Sequence, residues 1–120
     1  MIYLEALKKI LIEAGEILIE LQNNIKSEIK SDNTWLTDAD LKIEEFLKLE
    51  LSRIEPKATF LGEESQDAES CLMWVVDPID GTKAYKQGLE DYAIAVSLVK
   101  EDSPIMGVVY RPAQEQLFFC

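Results

Sequence analysis

From Leu4 through Leu7, Leu11, Ala14, Leu18 and Leu21, apolar residues recur every three or four positions, the spacing of one helix face. The pattern predicts a long first helix. Glu5 stands at helical spacing from Lys8 and Lys9, and Asn23-Asn24 predicts a frayed end. Gly15 falls inside this helix, where it costs up to about 1 kcal/mol relative to alanine, so a close approach by another element is expected there. The polar stretch from Lys26 to Thr34 reads as a loop or hairpin. Thr37-Asp38-Ala39-Asp40 then opens a second apolar period at Ile43, Leu47, Leu51 and Ile54, and this second helix must end before Pro56.

Beyond Pro56 the period changes. Short β-like runs follow at Ala58 to Leu61 and Leu72 to Val76, with the acidic loop Gly62 to Ser70 between them. Two more, Ala93 to Val99 and Ile105 to Tyr110, flank the turn-rich Lys100-Glu101-Asp102-Ser103-Pro104 as a hairpin would. Pro112-Ala113-Gln114-Glu115 predicts another turn before the run Gln116 to Cys120, whose two phenylalanines leave an apolar strand edge. Such an edge is expected to be covered by further sheet from a longer chain or by a partner, and otherwise to self-associate.

Composition narrows what this architecture can do. At 120 residues, 48% apolar and 29% charged, the chain reads as one globular unit. Twelve Lys and Arg stand against 23 Asp and Glu, a net charge of −11 that repels polyphosphate, so no nucleic acid polymer is expected as a partner. There is no histidine, so the chemistry must run on carboxylates, hydroxyls, lysine or hard cations. Cys71 and Cys120 form neither a disulfide framework nor a zinc site, and the acid and two lysines within the first nine residues are unlike a secretion signal. Two cysteines without such a framework make a reducing cytoplasm the expected location, and no apolar run approaches the ~20 residues of a membrane span.

The densest chemical signal is Trp74-Val75-Val76-Asp77-Pro78-Ile79-Asp80-Gly81-Thr82-Lys83. An apolar strand runs into two carboxylates bracketing a proline. Asp77, Asp80 and the Ile79 carbonyl could converge on a hard divalent cation, and Gly81 and Thr82 could offer backbone N–H groups to a phosphate at the start of a short helix near Lys83. Alone, the segment reads equally as a tight acidic turn with Asp77 as a helix cap. The residue two before Asp80 is Pro78, so the nucleophilic aspartate of the haloacid dehalogenase motif is absent and a covalent aspartyl-phosphate route is not expected. Gly62-Glu63-Glu64-Ser65 is a second signal, by itself readable as a solvated acidic loop. Thr37-x-x-Asp40 is a third, by itself readable as a capping box.

Together and in this order, the three segments resemble the amino-terminal signatures of the inositol monophosphatase superfamily of Mg²⁺-dependent, lithium-sensitive phosphatases. The resemblance runs from Ala14-Gly15 to Gly107-Val108-Val109-Tyr110-x-Pro112. Lys83 after Asp-Gly-Thr, and Lys30-x-Asp32-x-Thr34 leading into Thr37-x-Ala39-Asp40, look most like the CysQ-type 3′(2′),5′-bisphosphate nucleotidases, although Thr34 and Trp35 replace that subfamily's usual serine and proline.

The resemblance implies an α+β fold, a helix pair on a mainly antiparallel sheet, as in the first half of a layered αβαβα fold. Residues 1–120 would then be the amino-terminal metal-binding portion of a phosphatase. It implies Glu63, Asp77, Asp80 and the Ile79 carbonyl as Mg²⁺ ligands, Glu63 thereby belonging to the catalytic set, with Glu64 behind them and Gly81 and Thr82 on the phosphate. Asp40 and Thr82 would be a catalytic carboxylate–hydroxyl pair holding the attacking water. Lys83 is either a substrate-side charge or a solvated lysine. The implied substrate is a small phosphorylated molecule, adenosine 3′,5′-bisphosphate before an inositol or sugar phosphate. The family's remaining metal aspartate and substrate contacts lie in a carboxy-terminal half, with a Trp-Asp signature that this sequence does not contain. The chain alone is therefore expected to turn over little. It would associate as a homodimer or with such a half, or serve instead as an inactive cation-binding or assembly module.

Overall fold

The computed structural model describes residues 2–26, 34–61 and 71–120. Two long helices, α1 (Ile2–Lys26) and α2 (Thr34–Ile54), precede a five-stranded sheet of β1 (Thr59–Leu61), β2 (Leu72–Asp80), β3 (Ala93–Lys100), β4 (Ser103–Arg111) and β5 (Gln116–Phe119). A single-turn helix, α3 (Thr82–Lys86), links β2 to β3, and a 3₁₀ turn at Pro112–Gln114 links β4 to β5. The strands lie in sequence order, β1 parallel to β2 and every other pair antiparallel. This is the expected α+β arrangement.

The apolar stripe of each helix becomes core. Leu7, Leu11 and Leu18 of α1 and Ile43, Leu47 and Leu51 of α2 are fully buried, and across from them Trp74, Val96, Leu98 and Val108 come from alternate positions of β2, β3 and β4. α1 packs on α2, β4 and the 3₁₀ turn, and α2 packs on β1 and β2, so both helices cover one face of the sheet. Among the described residues nothing covers the other face, where Val75, Ala95, Ser97, Val109 and Phe118 line a cavity of about 500 Å³ with Asp77 among its lining.

Several boundaries differ from the pattern-based expectation. α1 continues through Asn23-Asn24 to Lys26, because helical packing on one face outweighs the modest propensity deficit of two asparagines. α2 begins at Thr34, so Thr37 and Asp40 lie within the helix rather than opening it. β2 runs four residues past Val76 to Asp80, carried by its pairing with β3. The β3–β4 turn places both Glu101 (φ 50°) and Asp102 (φ 66°) in the left-handed region, the type I′ geometry whose twist suits a two-residue hairpin. Of the loop expected from Lys26 to Thr34, the two end residues belong to α1 and α2, and residues 27–33, like the acidic loop at 62–70, lie outside the described residues.

Gly15 meets the expected close approach. A Cβ there would stand 2.6 Å from Tyr110 Cε2 and 3.0 Å from Pro112 Cβ, both on buried residues where the end of β4 and the 3₁₀ turn pack on α1. Gly15→Ala should therefore destabilise the protein by about 1–2 kcal/mol, overpacking outweighing the helix-propensity gain. A urea titration showing unchanged or raised stability would mean that the ring and the proline give way freely.

Candidate active site

The site is made by an irregularity in β2. Its pairing with β3 is regular from Leu72↔Lys100 to Asp77↔Ala95 and resumes at Asp80↔Ala93, so three steps on β2 oppose two on β3. The extra residue is a β-bulge. It also accommodates Pro78, which has no N–H for the ladder. In an unbroken strand, residues three apart point to opposite faces. Here Pro78 and Ile79 are buried in succession, which shifts the alternation and turns both Asp77 and Asp80 away from the core. The Asp-Pro-x-Asp spacing is thus the spacing that a bulge needs to bring two carboxylates to one face.

Bringing them together is costly. Asp77 is half-buried and its carboxyl is pushed above the usual range, first by lost solvation and then by the charge of Asp80, with the Ile79 amide offsetting part of this. Asp77 Oδ1 is buried and receives no hydrogen bond. A desolvated, repelled carboxylate with an unused buried oxygen is the arrangement that a bound cation would relieve.

Beyond Asp80 the chain turns at Gly81 (φ 90°, ψ 42°), which caps α3. Thr82 Oγ1 donates to Ile79 O at 3.0 Å, tying the start of α3 to the bulge. α3 is anchored from below by α1: the buried Gln22 donates from Nε2 to Tyr85 O (2.9 Å) and Leu89 O (3.1 Å), and Tyr85 Oη donates to Leu18 O (2.8 Å). Tyr92 packs edge-on against Tyr85, ring centroids 4.8 Å apart. Burial raises the Tyr85 phenol, and the neighbouring Tyr92 and the Asp40 carboxylate add to this. Sequence reading found neither Gln22 nor Tyr85. A glutamine on the apolar face of α1, one turn beyond Leu18, is the signal that was there to find.

The family model described as "Inositol monophosphatase family" matches residues 3–120. The chain belongs to the inositol monophosphatase family. It is 34% identical to a 3′(2′),5′-bisphosphate nucleotidase CysQ of Buchnera aphidicola over 88% of this chain and 43% of that protein. It is 33% identical to a fructose-1,6-bisphosphatase/inositol-1-monophosphatase of Aquifex aeolicus, over 98% of this chain and 46% of that one. Among solved structures, inositol monophosphatase-II from Staphylococcus aureus superposes with a TM-score of 0.87 at 27% identity, covering 100% of this chain and 45% of its own. The chain thus spans under half the length of these relatives, and that span contains the bulge and both carboxylates.

Inositol monophosphatase family members are phosphatases, and the described residues fit the family's requirement for a metal in part. Asp77, Asp80 and the Ile79 carbonyl supply hard oxygen donors next to one another. Among the described residues no three acidic or sulfur ligands come together. The other expected members, Glu63 and Glu64, lie outside the described residues, and so does the Thr37 side chain. Lys83 is exposed on α3. No helix among the described residues is long and apolar enough to cross a membrane.

Proposed function

We propose that this chain is the amino-terminal, cation-holding portion of a Mg²⁺-dependent phosphomonoesterase, whose substrate most resembles adenosine 3′,5′-bisphosphate. The observation that carries the reading is the β2 bulge, which sets Asp77 and Asp80 on one face and leaves a buried Asp77 oxygen without a partner. The substrate reading is supported by the Asp80-Gly81-Thr82-Lys83 run and by the likeness to the Buchnera nucleotidase. An inositol or other sugar phosphate is the second reading, supported by the likeness to the Aquifex enzyme.

Asp77, Asp80, the Ile79 carbonyl and Glu63 would hold the ion, with Glu64 steadying the set. When bound there, Mg²⁺ supplies positive charge that makes a neighbouring water more acidic and offsets the charge on the transferring phosphoryl group. The protein's own work is positioning. Thr82 Oγ1 gives its one hydrogen to Ile79 O, so toward a water it acts as an acceptor and fixes that water's orientation. Asp40, whose charge is felt at Tyr85 of α3, would be the second acceptor of the pair. The Gly81 and Thr82 amides would face the phosphate oxygens, and Gln22 and Tyr85 hold α3 against α1 so that the group stays aligned.

In the full-length enzyme, Thr82→Ala and Asp40→Asn should each lower kcat for phosphate release by about 100-fold, with Mg²⁺ affinity little changed. The double variant should be scarcely worse than the poorer single one, as for residues acting as one unit. An Asp40→Asn enzyme with normal kcat and a lowered melting temperature would reduce Asp40 to a helix-stabilising residue.

A further inference from the structure

Beside Asp80 lies a second cavity, about 240 Å³, lined by Asp80, Gly81, Asp91, Tyr92, Ala93 and Arg111. The register explains its make-up. Asp80 pairs with Ala93, and the pairing of Ile94 with Tyr110 sets Arg111 opposite Ala93, so Asp80 and Arg111 flank Ala93 from the two neighbouring strands. Two strand spacings separate their main chains by about 10 Å, a gap that an arginine and an aspartate side chain can close between them.

Asp77 and Asp80 repel one another, and Arg111, the one cation in this lining, is the natural counter-charge for them. It is not used as one. Among the described residues Asp80 makes no ion pair, and Arg111 donates instead from Nη1 to Gln116 Oε1 at 2.9 Å and from Nη2 to Asp91 Oδ1 at 3.3 Å. The two nitrogens that could grip a carboxylate side by side are thus taken by two different acceptors. The Asp91 side chain is 85% exposed, and among the described residues its one hydrogen bond is the one from Arg111. Packing therefore gives no reason for a carboxylate at this position, whereas the pairing does.

Resting on the function proposed above, we infer that Asp91, with Gln116, holds Arg111 away from Asp80 and so keeps the carboxylate pair open to a divalent cation. Tethered two strands away, a released Arg111 competes with the ion for Asp80 at high effective concentration. The size of the competition is set by the pair it would form. Asp80 is exposed, and an exposed ion pair is worth at most about fivefold in apparent cation affinity, or about 1 kcal/mol. Asp91 is a positioning residue in this account: it touches neither ion nor substrate and acts through Arg111.

The test is a double-variant cycle read by isothermal titration with Mg²⁺. Asp91→Ala should weaken Mg²⁺ binding about fivefold in the parent, but less than about twofold when Arg111 is already replaced in Arg111→Gln. Arg111→Gln alone should bind at least as tightly as the parent, and Asp91→Glu, which keeps the acceptor, should stay close to it. Circular-dichroism melts without Mg²⁺ give a second readout: Asp91→Ala should be as stable as the parent or more so, because the freed guanidinium eases the repulsion between Asp77 and Asp80. An equal loss from Asp91→Ala in both backgrounds would make Asp91 a general contributor to the negative field, and unchanged binding in Asp91→Ala would mean that Arg111 does not reach Asp80. Either result overturns the inference, while Mg²⁺ binding by the parent upholds the functional reading. A parent that binds no Mg²⁺ overturns both.

Discussion

Asp77→Asn is expected to weaken Mg²⁺ or Mn²⁺ binding by at least about 100-fold, more than the loss of an outer supporting group costs a metal site. Asparagine keeps the shape and one oxygen but removes the charge. It also removes the repulsion from Asp80 and the penalty of a desolvated carboxylate, so without metal the variant should be as stable as the parent or more so. That pairing of lost binding with retained stability is what separates a ligand from a turn former. The pH dependence follows from the same shift. Because the folded state holds a proton on Asp77 more readily than the unfolded chain does, metal-free protein is stabilised below the ordinary carboxylate range. It loses that stability as pH rises through the raised folded value. Mg²⁺ binding should run the opposite way, weakening as acidification restores the proton. Isothermal titration across pH together with urea melts of parent, Asp77→Asn and Asp80→Asn checks all of this. Unchanged binding in both variants would remove the site.

The sequence made some of this visible because certain features are local and periodic. The stripes through Leu7, Leu11 and Leu18, and through Ile43, Leu47 and Leu51, register directly as helix faces, and Gly15 announced a neighbour that turned out to be Tyr110 and Pro112. The carboxylate pair was legible by residue type and company. Its geometry was not, since period-2 reasoning sends Asp77 and Asp80 to opposite faces and only pairing with β3 reveals the extra residue between them. Tertiary partners were equally hidden. Gln22 binds carbonyls more than 60 positions away. Thr37 misled for a related reason, because an N-cap signature is cheap in sequence and the helix had already begun at Thr34.

Gly81→Ala should be the most damaging single-methyl change in the protein. At φ 90° the residue sits where an L side chain crowds its own carbonyl, a cost of about 1–2 kcal/mol before any neighbour is counted. The neighbours make it worse. A Cβ would stand 2.6 Å from Asp91 O and 3.2 Å from Tyr92 Cα, both main-chain atoms that no rotamer change can clear. The segment before β3 would have to move, so a total loss of about 3 kcal/mol is expected, a large share of a small domain's stability. Gly107→Ala is the control, because its Cβ would meet nothing closer than Cys120 Sγ at 3.8 Å, in ordinary van der Waals contact. It should cost little or even stabilise, as removing a glycine from a strand reduces the freedom of the unfolded chain. Urea titrations of the two variants compare them directly, and equal stabilities would show that the Asp91 segment yields without penalty. Because Gly81 directly follows Asp80, the same displacement should reach the carboxylate pair. Mg²⁺ affinity should therefore fall in Gly81→Ala under conditions where the variant is still folded, and stay at the parent value in Gly107→Ala.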